Sequence, residues 1–173
     1  MIRLTAKLSD GLVELIQAEA VQIDGVEVNP WFDIEQVQAY RRQLPGWTFY
    51  FHHGDLVSRS KWMPGTAELL REYIECTQTP WLSFHCSLLP PGYVSIGTKL
   101  GLYLPPPNPA RSLKGFVAGV EKLRRLNLPI LLENMPAFPT EKYAFETSVE
   151  TISDILARTG ADLLLDLAHA RVV

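Results

Sequence analysis

The 173 residues are 47% hydrophobic and 20% charged, the balance of an ordinary globular domain able to bury a sizeable core. Sixteen basic against 19 acidic residues leave a formal net charge of -3, which argues against a nucleic-acid stripe and against a polybasic segment for anionic lipid. Apolar runs such as Leu163 to Leu165 fall far short of the ~20 residues of a spanning helix, so no membrane contact is expected.

The chain opens on MIRLTAKLSDGL, which has neither an apolar secretory core nor a cleavage site, and Ile2 to Lys7 reads as a first strand. A helix follows from about Gly11, with Ser9 or Asp10 as its N-cap. GVEVNPWF, Gly25 to Phe32, is the second strand. Asp33 then caps IEQVQAYRRQL, where Ile34, Val37, Tyr40 and Leu44 keep helical spacing until Pro45-Gly46 stops them. WTFYFHHG, Trp47 to Gly54, is the third strand. A helix over Thr66 to Thr77 puts Leu69, Leu70, Tyr73 and Ile74 on one face, and Pro80 introduces a fourth strand, WLSFHC.

Ser87 to Pro109 is a long proline-rich loop containing Pro90-Pro91-Gly92 and Pro105-Pro106-Pro107, kept extended and out of any helix. Loops of that length inside compact domains are usually lids, binding loops or disordered segments, so it is a candidate substrate cover, with an idle excursion equally open. A helix from about Ala110 to Asn127 leads to PILLENMP, and another from Val149 to Thr159 leads across Gly160 to DLLLDLAH. Cys76 and Cys86 lack metal or redox spacing and read as reduced, packed thiols of a cytoplasmic protein.

Six strands alternating with five helices, with no linker between them, predict a single domain over 1–173 of the α/β class with parallel strands. ILLEN and DLLLD are continuous apolar runs, as strands covered on both faces are. An open doubly wound sheet and a (β/α) barrel both fit that pattern, although a complete barrel usually takes about 250 residues.

All four histidines, His52, His53, His85 and His169, fall at or just past the carboxyl end of an expected strand. Glu133 with Asn134 ends the fifth strand and Asp166 the sixth, each carboxylate interrupting an apolar run. In parallel α/β folds that edge holds ligands and chemistry. Imidazole nitrogens and carboxylate oxygens suit zinc, iron and manganese, and no thiolate competes. Each residue has a plainer role open to it: a single histidine is more often hydrogen-bonded structure, and Glu133 or Asp166 could simply cap the next helix. Capping does not explain histidines and carboxylates at four successive strand ends. Along the third strand, alternation puts Trp47, Phe49, Phe51 and His53 on one face and His52 on the other, so only one of the two histidines points inward.

At FHHG, SFH, LLENMP and LLLDLAH the sequence resembles the xylose isomerase-like barrel superfamily of sugar isomerases and endonuclease IV-type enzymes. Within it the pattern is most similar to the multinuclear non-heme iron oxidative enzymes that modify peptides. The resemblance implies a TIM-type (β/α) barrel, cut short after the sixth strand, whose metal ligands are His53, His85, Glu133 as a bridge, and Asp166. His169 stands where endonuclease IV-type enzymes carry a third-metal histidine. Glu27, Asn29, His52 and Asn134 are candidates for a supporting role behind the ligands. The superfamily draws further ligands from a seventh and an eighth strand, so the chain is expected to be a fragment, to be completed by a second copy or another chain, or to hold an impaired site.

The resemblance implies divalent ions, iron first and zinc or manganese as alternatives, and a peptide or small-molecule substrate. Oxidative modification of a peptide is the leading expectation, with no individual catalytic residue assigned. Metal-assisted hydrolysis of the endonuclease kind, sugar isomerisation, and a non-catalytic barrel fragment are the alternatives.

Overall fold

A computed structural model describes residues 3–54, 66–89, 108–136 and 141–171. The proline-rich stretch expected to cover the site lies, from 90 to 107, outside the described residues. The chain divides into two compact units, one holding residues up to 53 together with 63–82, the other holding 54–62 and 83 onward.

In the first unit β1 (Thr5–Lys7), α1 (Asp10–Gln17), β2 (Gly25–Val28), α2 (Ile34–Gln43), β3 (Phe49–His52) and α3 (Thr66–Thr77) alternate. The strands are parallel, with Thr5 opposite Gly25 and Val26 opposite Phe49. Local chemistry starts the helices where the sequence placed them. Ser9 Oγ accepts from the Leu12 amide, and Asp33 forms a reciprocal capping box with Gln36. The central strand β2 is sealed, with Val26 and Val28 at 0% exposure. Gly25 is required by close approach, because a Cβ there would stand 2.2 Å from the Tyr50 ring and 2.7 Å from the Thr48 carbonyl oxygen.

The face of β3 that carries Phe51 packs on α3, where the Phe51 and Tyr73 rings stack with centroids 4.6 Å apart. Tyr73 donates its hydroxyl to the Phe32 carbonyl at 2.5 Å, and burial pushes its phenol pKa up. Thr79 Oγ1 accepts from the Phe51 amide and donates to the Trp81 carbonyl, satisfying backbone groups at the entry to the fourth strand.

The second unit takes up β4 (Leu82–His85) from Ser83 on, then α4 (Pro109–Leu123), β5 (Ile130–Glu133), α5 (Val149–Thr159), β6 (Asp162–Leu164) and α6 (Leu167–Arg171). Its strand order is β4-β5-β6, and β5 and β6 are parallel with Leu131 opposite Asp162 and Glu133 opposite Leu164. Asn108 caps α4, and Pro109 occupies its first turn, where a missing amide costs nothing. Gly160 ends α5 in the left-handed conformation, and the Arg124 guanidinium donates to the Thr159 carbonyl beside it.

The strands are shorter than the sequence reading, β2 for instance stopping at Val28 instead of Phe32, and two further departures stand out. The helix expected to reach Asn127 ends at Leu123 and tightens into a 3-10 turn, Arg124–Leu126, closed by Asn127 at φ 55. The sixth apolar run yields only three strand residues, because Asp166 turns the chain into α6 by accepting from the His169 amide through Oδ1 at 2.9 Å. His169 therefore sits on a short helix beyond the strand. β6 is also not covered as its composition predicts: Leu163 is 45% exposed and Leu165 57%. Among the described residues, no helix is long and apolar enough to cross a membrane.

Candidate metal centre

Two parallel neighbours place the carboxylates. β5 runs through Leu132, at 0% exposure, into Glu133, which is 5% exposed. Beside it the chain leaves β6 at Asp166, held by a two-way clamp: the Asp166 amide donates to Asn134 Oδ1 at 2.7 Å, and Asn134 Nδ2 donates to the Asp166 carbonyl at 3.0 Å. That pairing uniquely sets which end of the Asn134 amide is oxygen. It also joins the carboxyl ends of β5 and β6 at the point where ladder hydrogen bonds stop. Asn134 thus ties the two strand ends together, and its own burial at 8% exposure is matched by these bonds.

Asp166 does cap a helix, as its plainer reading required, but only with Oδ1. Its other oxygen, Oδ2, faces His169 Nδ1 at 3.8 Å. His169 Nδ1 lies 2.8 Å from the Asn134 carbonyl oxygen and 3.2 Å from Glu133 Oε1. A carbonyl can only accept, so Nδ1 carries a proton in this arrangement, and the lone pair of the neutral ring falls on Nε2. Such a carbonyl contact on one ring nitrogen is the usual way a ligating histidine has its other nitrogen presented.

His85, at the end of β4, contributes the second imidazole. Its Nε2 lies 3.7 Å from Glu133 Oε1, in the range of an ion pair and too long for a hydrogen bond. The His85 and His169 rings meet edge to face with centroids 5.9 Å apart, so both stand over the same carboxylate. Backbone bonds set the height of His85: its amide donates to the Gly54 carbonyl at 2.8 Å, and the next amide, of Cys86, donates to the Glu133 carbonyl at 2.8 Å. Gly54 matters because a Cβ there would press on the His85 ring at 3.3 Å from Cε1. The sequence reading noted Gly54 only as part of a motif.

The fit to a cation is good. Glu133, Asp166 and His169 each offer a ligand atom within 4.8 Å of the others. A nearly buried carboxylate beside a partly exposed one, with imidazoles over the first, is a nitrogen and oxygen donor set of the kind zinc, manganese and iron accept. Among the described residues of this unit it is the group whose burial and spacing match a coordination sphere.

The remaining candidates lie in the first unit. His52 is buried within β3, and His53, just past the strand, shares a side with Phe51, their rings 6.4 Å apart and edge-on. That is the side on which Phe51 stacks against Tyr73, and His52 takes the opposite one by alternation. Glu27 is half-buried on β2. Asn29, at 6% exposure, makes a local turn, its Oδ1 accepting from the Trp31 amide at 3.1 Å.

One buried acid escaped the sequence reading. Glu146, at 0% exposure, ends a 3-10 segment, Glu141–Glu146, and its Oε1 accepts from Ser87 Oγ at 3.0 Å and from the Leu89 amide at 2.6 Å. Nothing in the polar stretch EKYAFETS distinguishes it from a solvated glutamate.

No protein-family model and no curated protein matches the sequence. Solved structures do. The chain is similar to D-psicose 3-epimerase from Clostridium cellulolyticum H10, solved with D-tagatose, at 11% identity and a TM-score of 0.58, covering 99% of this chain and 65% of that one. It is similar to an AP endonuclease, family 2, from Brucella melitensis at 15% identity and a TM-score of 0.54, covering 99% and 71%. A xylose isomerase domain protein from Alicyclobacillus acidocaldarius matches at 12% identity and a TM-score of 0.54, covering 94% and 62%. The fold is therefore that of the xylose isomerase-like TIM barrels, and the chain spans about two thirds of the length of these proteins.

Proposed function

We propose that this chain carries the metal-binding strands of a metal-dependent enzyme. Glu133, Asp166, His85 and His169 hold a divalent ion, and Asn134 orients two of them. The observation that carries this reading is the grouping of Glu133, Asp166 and His169, each with a ligand atom within 4.8 Å of the others, with His85 Nε2 at 3.7 Å from Glu133 Oε1. A carboxylate that is 5% exposed is costly to keep ionised unless cationic charge or hydrogen bonds meet it. A bound divalent ion supplies that charge and acts as a Lewis acid toward an oxygen donor of the substrate. The chain's own groups do the positioning. The Asn134 carbonyl fixes the His169 tautomer, the Asn134 side chain holds the Asp166 backbone, and the Gly54 and Glu133 carbonyls set the depth of His85.

For the reaction, the motif order favours iron-dependent oxidation of a peptide. A second reading is hydrolysis or epimerisation at a hydroxyl-bearing substrate. It is favoured by His169 standing three residues after Asp166, as in endonuclease IV-type enzymes, and by the fold shared with a 3-epimerase and an AP endonuclease. Elemental analysis of protein purified without oxygen, compared with Glu133→Gln, tests the site. Stoichiometric iron, zinc or manganese that disappears in the variant is the expected result, and equal metal in both proteins would refute it. Iron together with substrate-dependent oxygen uptake supports the oxidative reading. Incision of abasic DNA or ketose epimerisation without oxygen uptake supports the second.

A further inference from the structure

We infer that Glu146 is a positioning residue for His85, holding the segment that follows β4 so that the imidazole is presented to the metal centre; the inference rests on the metal reading of that centre.

Glu146 is fully buried, and removing a carboxylate from water is expensive unless donors meet it. A residue serving only to fill the core would be apolar. Among the described residues, two donors to Glu146 Oε1 come from one place in the chain: Ser87 Oγ, two residues after His85, and the Leu89 amide, four residues after it. The Leu89 amide belongs to no strand or helix, so the carboxylate supplies the acceptor that secondary structure would otherwise provide.

The acid itself is firmly seated. It closes the 3-10 segment that runs into α5, whose N-cap Ser148 accepts from the Thr151 amide at 3.2 Å and donates to the Phe145 carbonyl at 3.2 Å. On the near side, the His85 and Cys86 amides are tied to the Gly54 and Glu133 carbonyls. The five residues from His85 to Leu89 are thus pinned at both ends, and Glu146 is the far pin. Without it, Ser87 to Leu89 lose their anchor, and the His85 ring, lying close against Gly54, loses the backbone that fixes its pitch. Outer partners of this kind typically change metal affinity by roughly 10- to 100-fold.

The test compares wild type, Glu146→Ala, Glu146→Gln and Ser87→Ala in the whole chain. Mn²⁺ affinity is read by calorimetry, fold by circular dichroism, and the His85 ring and Leu89 amide by NMR. Glu146→Ala is expected to weaken Mn²⁺ binding by roughly 10-fold or more and to shift the His85 ring resonances. Glu146→Gln, whose amide oxygen still accepts from Leu89, recovers most of the affinity. Ser87→Ala, which removes one donor and keeps the fold should Glu146→Ala lose it, gives a smaller loss in the same direction. Unchanged Mn²⁺ affinity and unchanged His85 resonances in folded variants overturn the inference and leave Glu146 a purely structural acid. If the wild type takes up no Mn²⁺ while the variants still shift the His85 ring, the metal reading falls and the positioning role stands.

Discussion

β5 and β6 lie side by side, and each leads to a carboxylate of the candidate site, but they live in different surroundings. β5 has Leu132 at 0% and Ile130 at 7% exposure, whereas β6 pairs with β5 at the end of the strand order and leaves Leu163 and Leu165 about half exposed. The carboxylates follow suit. The Glu133 side chain is 7% exposed and that of Asp166 33%. Two nearly identical apolar runs therefore make one core strand and one open-sided strand, and the acid on the core strand is the one both imidazoles meet. Burial is conferred by neighbours, and electrostatic strength follows burial.

The largest expected effect breaks the comparison on the packing side. Leu132→Ala should cost about 2–5 kcal/mol in urea unfolding, since it opens a cavity in a sealed strand. Leu163→Ala should stay within about 0.5 kcal/mol. Equal losses would mean that the β6 leucines are covered in solution, as they would be by a second copy or another chain. Next come the acids. Glu133→Gln should lower Mn²⁺ affinity on the order of 100-fold, ~2.7 kcal/mol, and Asp166→Asn nearer 10-fold, ~1.4 kcal/mol, because Asp166 is more exposed and already spends Oδ1 on the His169 amide. The reverse order by calorimetry would move the centre of the site to β6.

A third prediction uses the two thiols. Burial, with the Glu146 charge beside it, pushes the Cys86 thiol pKa up from 9.0 to about 12. The folded chain then keeps a proton that the unfolded chain releases above pH 9, so this contribution is complete below pH 9 and is lost as pH rises toward 12. Stability should fall by at most about 1.4 kcal/mol per pH unit in that window, and Cys86→Ala should flatten the fall. Cys76, raised by burial but partly offset by Arg41, should give a weaker version of the same slope. The smallest effect is local: Asn134→Ala removes both side-chain bonds to Asp166 and should cost about 1–2 kcal/mol, with the β6 end exchanging its amides faster by NMR.

Much of the scaffold was legible in the residues. Ser9 and Asp33 cap helices by bonds to nearby amides, and Gly160 stops one by adopting φ 57, so those boundaries follow from chemistry within one turn. Where a single residue redirects the chain, periodicity was less informative. Asp166 turns an apolar run into a helix after three strand residues, and Asn127 closes a 3-10 turn that the helical pattern ran straight through. Residue types at strand ends could be read as candidate ligands, but not which atoms meet. The side of β3 that His53 shares with Phe51 depends on packing against Tyr73, and Glu146 looks like any surface acid until Ser87 and Leu89 are seen around it.

By itself the sequence determined the alternation of strands and helices, the capped boundaries and the placing of imidazoles and carboxylates at strand ends, because each depends on contacts within a few residues. Only the tertiary structure decided that Glu133 is the carboxylate over which His85 and His169 converge, that Asn134 clamps Asp166, that Glu146 is buried and that β6 is not. Those outcomes depend on groups brought together from distant positions, 57 residues apart for Leu89 and Glu146, and no local pattern records which neighbour a side chain will meet.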